Sequence, residues 1–180
     1  MLKKYSWLFI ILLALIVVVV KYLYQQPKFI NGEKAPDFEA VMQNGQAFQL
    51  SGLYGKYVLL DFWGSWCGPC RAQNKHLVTL YDKFNNARFE NANGFEIVSI
   101  GVETRMASWE NAIIRDQLNW PYQILDKTGS LKFFDSPIAS LYKVRVLPTT
   151  YLLNEKGAII GVNLDVSELD KLLTNRVLRN

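Results

Sequence analysis

Tyr57-Val58-Leu59-Leu60-Asp61-Phe62-Trp63 is an almost unbroken apolar run that ends four residues before the chain's only cysteines, Cys67 and Cys70. A short run this rich in aliphatic and aromatic residues reads as a strand buried on both faces, in a sheet covered by helices. The period then changes. Leu77, Leu80, Tyr81 and Phe84 recur at the 3-4 spacing of one helical face, predicting a helix over 67–84. Trp66-Cys67-Gly68-Pro69-Cys70 thus occupies a strand-to-helix junction. Pro69 suits the first helical turn, where its missing N–H has no partner to lose. Cys67 falls at the helix N-terminus, where peptide dipoles and unpaired N–H groups stabilise a thiolate. The thiolate is the form that attacks disulfides, and Cys70, one turn deeper, can resolve the mixed disulfide. An inert crosslink would stabilise little across so short a loop. Zinc normally takes four Cys/His ligands, and the chain adds only His76 to its two cysteines. No metal and no cofactor beyond a redox-active Cys67–Cys70 disulfide is expected.

Asp61 interrupts the apolar run. A carboxylate buried there is costly unless protonated or paired, and burial raises its pKa to where it can exchange a proton with a nearby thiol. A plainer reading has Asp61 bonding neighbouring backbone or lying in water at a strand end. Phe95 to Gly101 predicts a second buried strand, completing a right-handed βαβ unit. Asn44-Gly45, between Phe38–Val41 and Gln46–Leu50, predicts a type I′ hairpin. Residues 51–56 form a helical turn or loop. Ser108 caps a helix through Trp109, Ala112, Ile113 and Leu118. Tyr122–Leu125 is a third strand, and a short helix covers Ile138 to Tyr142. The chain closes with a hairpin, Thr149–Leu153 and Ala158–Val162 around Asn154–Gly157, and a last helix capped by Ser167 with Asp170. This order predicts an α/β domain with a mixed central sheet, helices on both faces and an N-terminal hairpin extension.

The first 24 residues differ in kind. Tyr5 to Tyr24 is apolar enough, and at about 30 Å as a helix long enough, to cross a bilayer. Tyr5, Trp7, Tyr22 and Tyr24 stand near its ends like interfacial aromatics, and Lys21 can snorkel. A cleaved signal peptide would need small residues after the apolar run, where Lys21-Tyr22-Leu23-Tyr24 stand; a lipoprotein anchor would need a cysteine there. An uncleaved anchor over 1–24 is therefore expected, then a polar tether over 25–34 and a folded domain over 35–180. Lys3 and Lys4 are nearly balanced by Lys21, Lys28 and Lys34. The short N-terminal tail and the thiol chemistry place the domain outside the cytoplasmic membrane. A net charge of +4 with scattered basic residues gives nucleic-acid binding no support.

Asp61-Phe62-Trp63-Gly64-Ser65-Trp66-Cys67-Gly68-Pro69-Cys70 resembles the active-site stretch of thioredoxins. With Ala35-Pro36-Asp37-Phe38 and Leu147-Pro148-Thr149-Thr150, the chain resembles the membrane-tethered TlpA/ResA-type thiol–disulfide oxidoreductases over roughly residues 35–173. The resemblance implies a thioredoxin-like fold over 35–180, with Cys67 as nucleophile, Cys70 resolving and Asp61 taking the Cys70 proton. It also implies a cis Pro148 beside the cysteines, so that Leu147 binds client backbone as an added strand. Trp66, Gly68 and Pro69 complete that client surface, and Glu103 falls where ResA-type members keep a glutamate near the site. The implied activity is reduction of disulfides in extracytoplasmic client proteins, cytochrome c maturation among the suggested contexts. A membrane thiol-electron carrier is the implied donor, and the chain is expected to be a monomer in the inner membrane of a bacterium, its domain facing the periplasm or exterior. Gly68-Pro69 is the dipeptide of the reducing branch. The chain departs from the pattern where it carries Asp61 for an asparagine-like residue, Gln73 for a glutamate and Lys75 for the usual helix proline.

Two other function classes compete with this reading, and the first fails on its motif. A peroxiredoxin-like peroxidase would need Thr-x-x-Cys, where this chain has Gly64-Ser65-Trp66-Cys67. A non-enzymatic tethered module would keep its cysteines oxidised and use the proline loop only to dock a peptide.

Overall fold

The computed structural model describes residues 6–130 and 135–178, so Lys3, Lys4 and Tyr5 lie outside the described residues. Helix α1, Ser6–Gln25, is a 20-residue rod. Its segment Trp7–Gln25 is long and apolar enough to cross a membrane, and Trp7 to Tyr24 are exposed. The domain begins with a small antiparallel hairpin, β1 (Glu39–Val41) and β2 (Ala47–Gln49), followed by a 3-10 turn over Leu50–Leu53. Then come β3 (Tyr57–Trp63), α2 (Gly68–Phe84), β4 (Phe95–Glu103), α3 (Met106–Asp116), β5 (Tyr122–Lys127) and α4 (Pro137–Leu141). Strands β6 (Thr149–Leu153) and β7 (Ile159–Val162) and helix α5 (Val166–Thr174) complete it. The main sheet runs β5-β4-β3-β6-β7, its first three strands parallel and β6 and β7 antiparallel to their neighbours. It is the mixed sheet that a βαβ unit followed by a hairpin predicts.

Strand alternation sorts the apolar residues into two cores. Tyr57, Leu59 and Trp63 of β3 meet Leu77, Leu80 and Phe84 of α2, Trp109 of α3 and Leu169 of α5 on one face. Val58, Leu60 and Phe62 meet Phe38 and Phe48 of the hairpin region and Ile138 and Tyr142 around α4 on the other. All seven β3 residues are buried, as their continuous apolarity requires.

Local chemistry overturns three expectations. The hairpin is not type I′. Gly45 alone takes a left-handed φ of 83° while Asn44 does not, and the Gly45 N–H bonds Met42 O at 2.9 Å. This is a type I turn followed by a left-handed glycine, a three-residue loop solution. Helix α3 starts two residues before the Ser108 region, with Arg105 at its cap position and no side-chain cap bond. Helix α5 is capped by Asp165, not Ser167: Asp165 accepts from Glu168 N at 2.8 Å while the Glu168 carboxylate accepts from Asp165 N at 2.9 Å.

Candidate active site

The turn from β3 into α2 delivers the cysteines. Cys67 is the N-cap of α2, with Pro69 in the first turn, and its sulfur accepts from Cys70 N at 3.3 Å. The two sulfurs are joined in a disulfide, with Cα atoms 5.3 Å apart. Both are buried, Cys70 the more deeply (1% against 5% exposed), while Gly68 and Pro69 are exposed. Approach to the pair is therefore over Gly68, Pro69 and the neighbouring Trp66, which is 44% exposed. The Trp66 indole donates to Val102 O at 3.1 Å and lies across Gly64, where a Cβ would come within 2.7 Å of its Nε1.

Asp61 shares the β3 face of Tyr57, Leu59 and Trp63, the face that packs under α2 and the cysteines. It is 1% exposed and accepts from Ser99 Oγ at 3.2 Å, and Ser99 Oγ in turn accepts from Trp120 Nε1 at 3.1 Å. Burial raises its pKa to about 7, the Ser99 bond opposing the shift. Asp61 can thus hold or release a proton at neutral pH. The bond from Leu147 to Pro148 is cis, and Leu147 packs against the core that holds both cysteines. Pro148 lines a small depression of about 220 Å³ with Gln73, Thr150, Asn163, Leu164 and Asp165. Asn163 Oδ1 accepts from Thr150 N at 2.8 Å, holding the start of β6 next to that proline.

Glu103 ends β4, is 2% exposed, and its carboxylate accepts from Ser65 N in the loop before Cys67. The carbonyl of the same residue is held as well. Arg71 reaches Ser65 O at 3.5 Å and makes a two-pronged pair with Asp116 at the end of α3. Asn74, buried in α2, donates to the same Asp116 carboxylate at 2.9 Å. Burial works to raise the Asp116 pKa, but the bonds from Arg71 and Asn74 outweigh it and hold the carboxyl below its usual range. His76 lies exposed on the outer side of α2. The sequence reading missed Ser99, Arg71, Asn74 and Asp116. Ser99 had a signal, a polar residue inside the second apolar strand. The Arg71–Asp116 pair had none, because 45 positions separate its members. Among the described residues no cluster of metal-ligating side chains is present.

Residues 31–162 match the AhpC/TSA family. The thiol–disulfide oxidoreductase ResA of Bacillus subtilis is 33% identical over 132 residues, 73% of this chain and 66% of that protein. ResA of Halalkalibacterium halodurans is 30% identical over 167 residues, covering 89% of this chain and 87% of that protein. The thioredoxin domain of a thiol–disulfide oxidoreductase from Bacteroides vulgatus superposes with a TM-score of 0.69 at 26% identity, over 82% of this chain and 98% of that one. The chain belongs to the AhpC/TSA family, on its branch of TlpA/ResA-type thiol–disulfide oxidoreductases.

Proposed function

We propose that this protein reduces disulfides in client proteins outside the cytoplasmic membrane, anchored there by α1. The observation that carries the reading is a Cys67–Cys70 disulfide at the N-terminus of α2, with cis-Pro148 in the adjoining loop and the buried Asp61 carboxyl on the sheet face below. In the reduced protein the Cys67 thiolate, stabilised by the helix N-terminus, attacks a client sulfur and forms a mixed disulfide. The other client sulfur leaves as a thiolate. Asp61 draws the proton from Cys70, whose thiolate attacks Cys67 and releases the client dithiol. Two electrons pass to the client, and the enzyme is left oxidised. Its recharging needs a dithiol donor, for which a membrane thiol carrier is the natural source in an oxidising compartment.

Leu147 and Pro148 offer the client backbone an extended partner, with Trp66, Gly68 and Pro69 forming the rest of the contact surface. Glu103 acts here as a positioning residue through Ser65. The maturation of c-type cytochromes, whose haem-binding cysteines must be reduced, is one setting that suits such an activity. The peroxidase alternative lacks its defining residue, because glycine stands at position 64 where Thr-x-x-Cys needs a threonine.

Dithiothreitol-driven insulin reduction by the wild type and by Cys67→Ser tests the reading. Turnover by the wild type alone is expected, and equal rates would end it. Cys70→Ser in native membranes is expected to accumulate clients as mixed disulfides on Cys67. A tethered binding module would accumulate none.

A further inference from the structure

We propose that the pole of the domain carrying Cys67 faces the bilayer, presenting the disulfide to a membrane-embedded dithiol protein. This deepens the donor side of the function proposed above and rests on it. The sheet has two distinct ends. At one, β3 leads to Cys67, β4 ends at Glu103, β6 begins after Pro148 and β7 ends at Val162. At the other lie Gly55, Asn93 and the 154–157 turn, linked by Gly55 N to Glu155 O and Asn93 N to Gly55 O.

The chain leaving α1 meets the first of these ends. Gln26, Pro27, Phe29, Ile30 and Asn31 share a depression with Val162, Asn163 and Leu164. Asn163 and Leu164 also line the depression that holds Pro148. From there the chain runs away from the cysteines along β7. Gly32 N bonds Ile159 O at 2.8 Å, Lys34 pairs with Ala158, and Ala35 N bonds Gly157 O at 2.9 Å. The segment thus enters at the catalytic end and travels to the opposite one, so α1 departs from the catalytic end.

Two further observations agree. The Arg145 guanidinium lies 5.8 Å from the centre of the Tyr24 ring, joining the last turn of α1 to the loop that carries Leu147 and Pro148. Phe29 is held against Tyr142 and Tyr151, with ring centres 5.8 and 6.2 Å away. The four residue steps from Gln25 to Phe29 span at most about 14 Å, so the domain is held close to the anchor. Trp66 and Met106, 44% and 52% exposed, add apolar surface at the same pole.

The occupant is therefore a dithiol protein seated in the membrane. Its thiolate bonds to Cys67 Sγ as the Cys67–Cys70 bond breaks, and Cys70 leaves as a thiolate that takes a proton. The donor's second thiol then displaces Cys67. Two electrons enter this protein, and the donor becomes a disulfide.

Orientation is read by quenching. Full-length protein with Cys67→Ser and Cys70→Ser carries a fluorophore on either Thr104→Cys, exposed beyond β4 at the catalytic pole, or Lys156→Cys, exposed at the opposite pole. Each is reconstituted in phosphatidylcholine vesicles containing a nitroxide-headgroup lipid. Quenching at least twofold stronger at position 104 is expected, and equal, reversed or absent quenching overturns the orientation. A spacer of about 20 Gly/Ser residues between Gln26 and Pro27 frees the domain. In chains with native cysteines it is expected to lower the steady-state reduced fraction of Cys67 in native membranes several-fold, leaving dithiothreitol-driven insulin turnover in detergent unchanged. An undiminished reduced fraction overturns the need for apposition. Loss of insulin turnover in the wild type would instead sink the reaction, so the two failures are distinguishable.

Discussion

Asp61 exerts two opposed demands on the protein. Burial raises its pKa from the ordinary aspartate range to about 7, with the Ser99 hydrogen bond opposing the shift. Below about pH 4 the carboxyl is protonated in both folded and unfolded chains and costs nothing differential. Between about pH 4 and 7 the folded state holds the extra proton, so stability falls as pH rises; above 7 the loss is constant at about 4 kcal/mol. Asp61→Asn is therefore expected to be more stable than wild type at pH 8 by a few kcal/mol and equal to it near pH 3.5, measured by urea unfolding of the oxidised protein. The same substitution is expected to slow insulin turnover 10- to 100-fold, because Cys70 loses its proton acceptor. A pH-independent stability difference would show that Asp61 titrates normally. The Asp116 carboxylate is a stability prediction of the other kind. With 6% of its side chain exposed, it serves Arg71 and Asn74 together. Asp116→Ala leaves both donors without that acceptor and is expected to destabilise by about 2–3 kcal/mol, read from the urea midpoint. The two carboxylates differ in legibility for a physical reason. Asp61 stands out as a charge inside an apolar run, whereas Asp116 gains its meaning only when α2 and α3 pack.

At the scale of elements, hydrophobic pattern located β3, α2 and β4 directly, and side-chain chemistry at element ends was less legible. β3 and α2 differ in period, and each period is imposed by what the element buries, so the change at Cys67 could be read directly. Caps depend on a single hydrogen bond, and residues 165–170 offer several competent acceptors; Asp165 prevails because its spacing to Glu168 closes a reciprocal pair. The packing of α3 on β4 was also hidden. It rests on Gly101, where an added Cβ would lie 2.4 Å from Trp109 Nε1, within the rigid indole of a buried side chain. Gly101→Ala is therefore expected to force α3 outward and destabilise by about 1–3 kcal/mol. Because the shift is local to this face, near-ultraviolet circular dichroism should change while the far-ultraviolet spectrum holds. An unchanged midpoint would mean that Trp109 has room to move.

For the molecule as a whole, the order βαβ followed by a hairpin constrained the topology strongly, since parallel crossovers are right-handed and consecutive strands tend to pair. The path of residues 26–34 was not legible. Pro27, Gly32 and several polar side chains give this segment the composition of a free linker, yet its backbone pairs with β7 and Phe29 packs into the second core. Backbone pairing leaves no hydrophobic period to read, and one half-buried ring is too little to form a pattern. The strap also covers an edge strand whose N–H and C=O groups would otherwise be available to another chain. Its contribution is separable from that of the anchor. Phe29→Ala in the full-length protein removes ring contacts with Tyr142 and Tyr151 and is expected to lower stability by about 2–3 kcal/mol in detergent. Ile30→Ala, at a neighbour 64% exposed, is expected to change it by less than about 0.5 kcal/mol. If strap and domain form one folded unit, Phe29→Ala should also speed hydrogen exchange at Gly32 and Ile159, whose amides make the strap's backbone bonds, while amides of β3 keep their protection. Equal behaviour of the two substitutions would return residues 26–34 to the status of a loose linker and remove the constraint that holds the catalytic pole near the membrane.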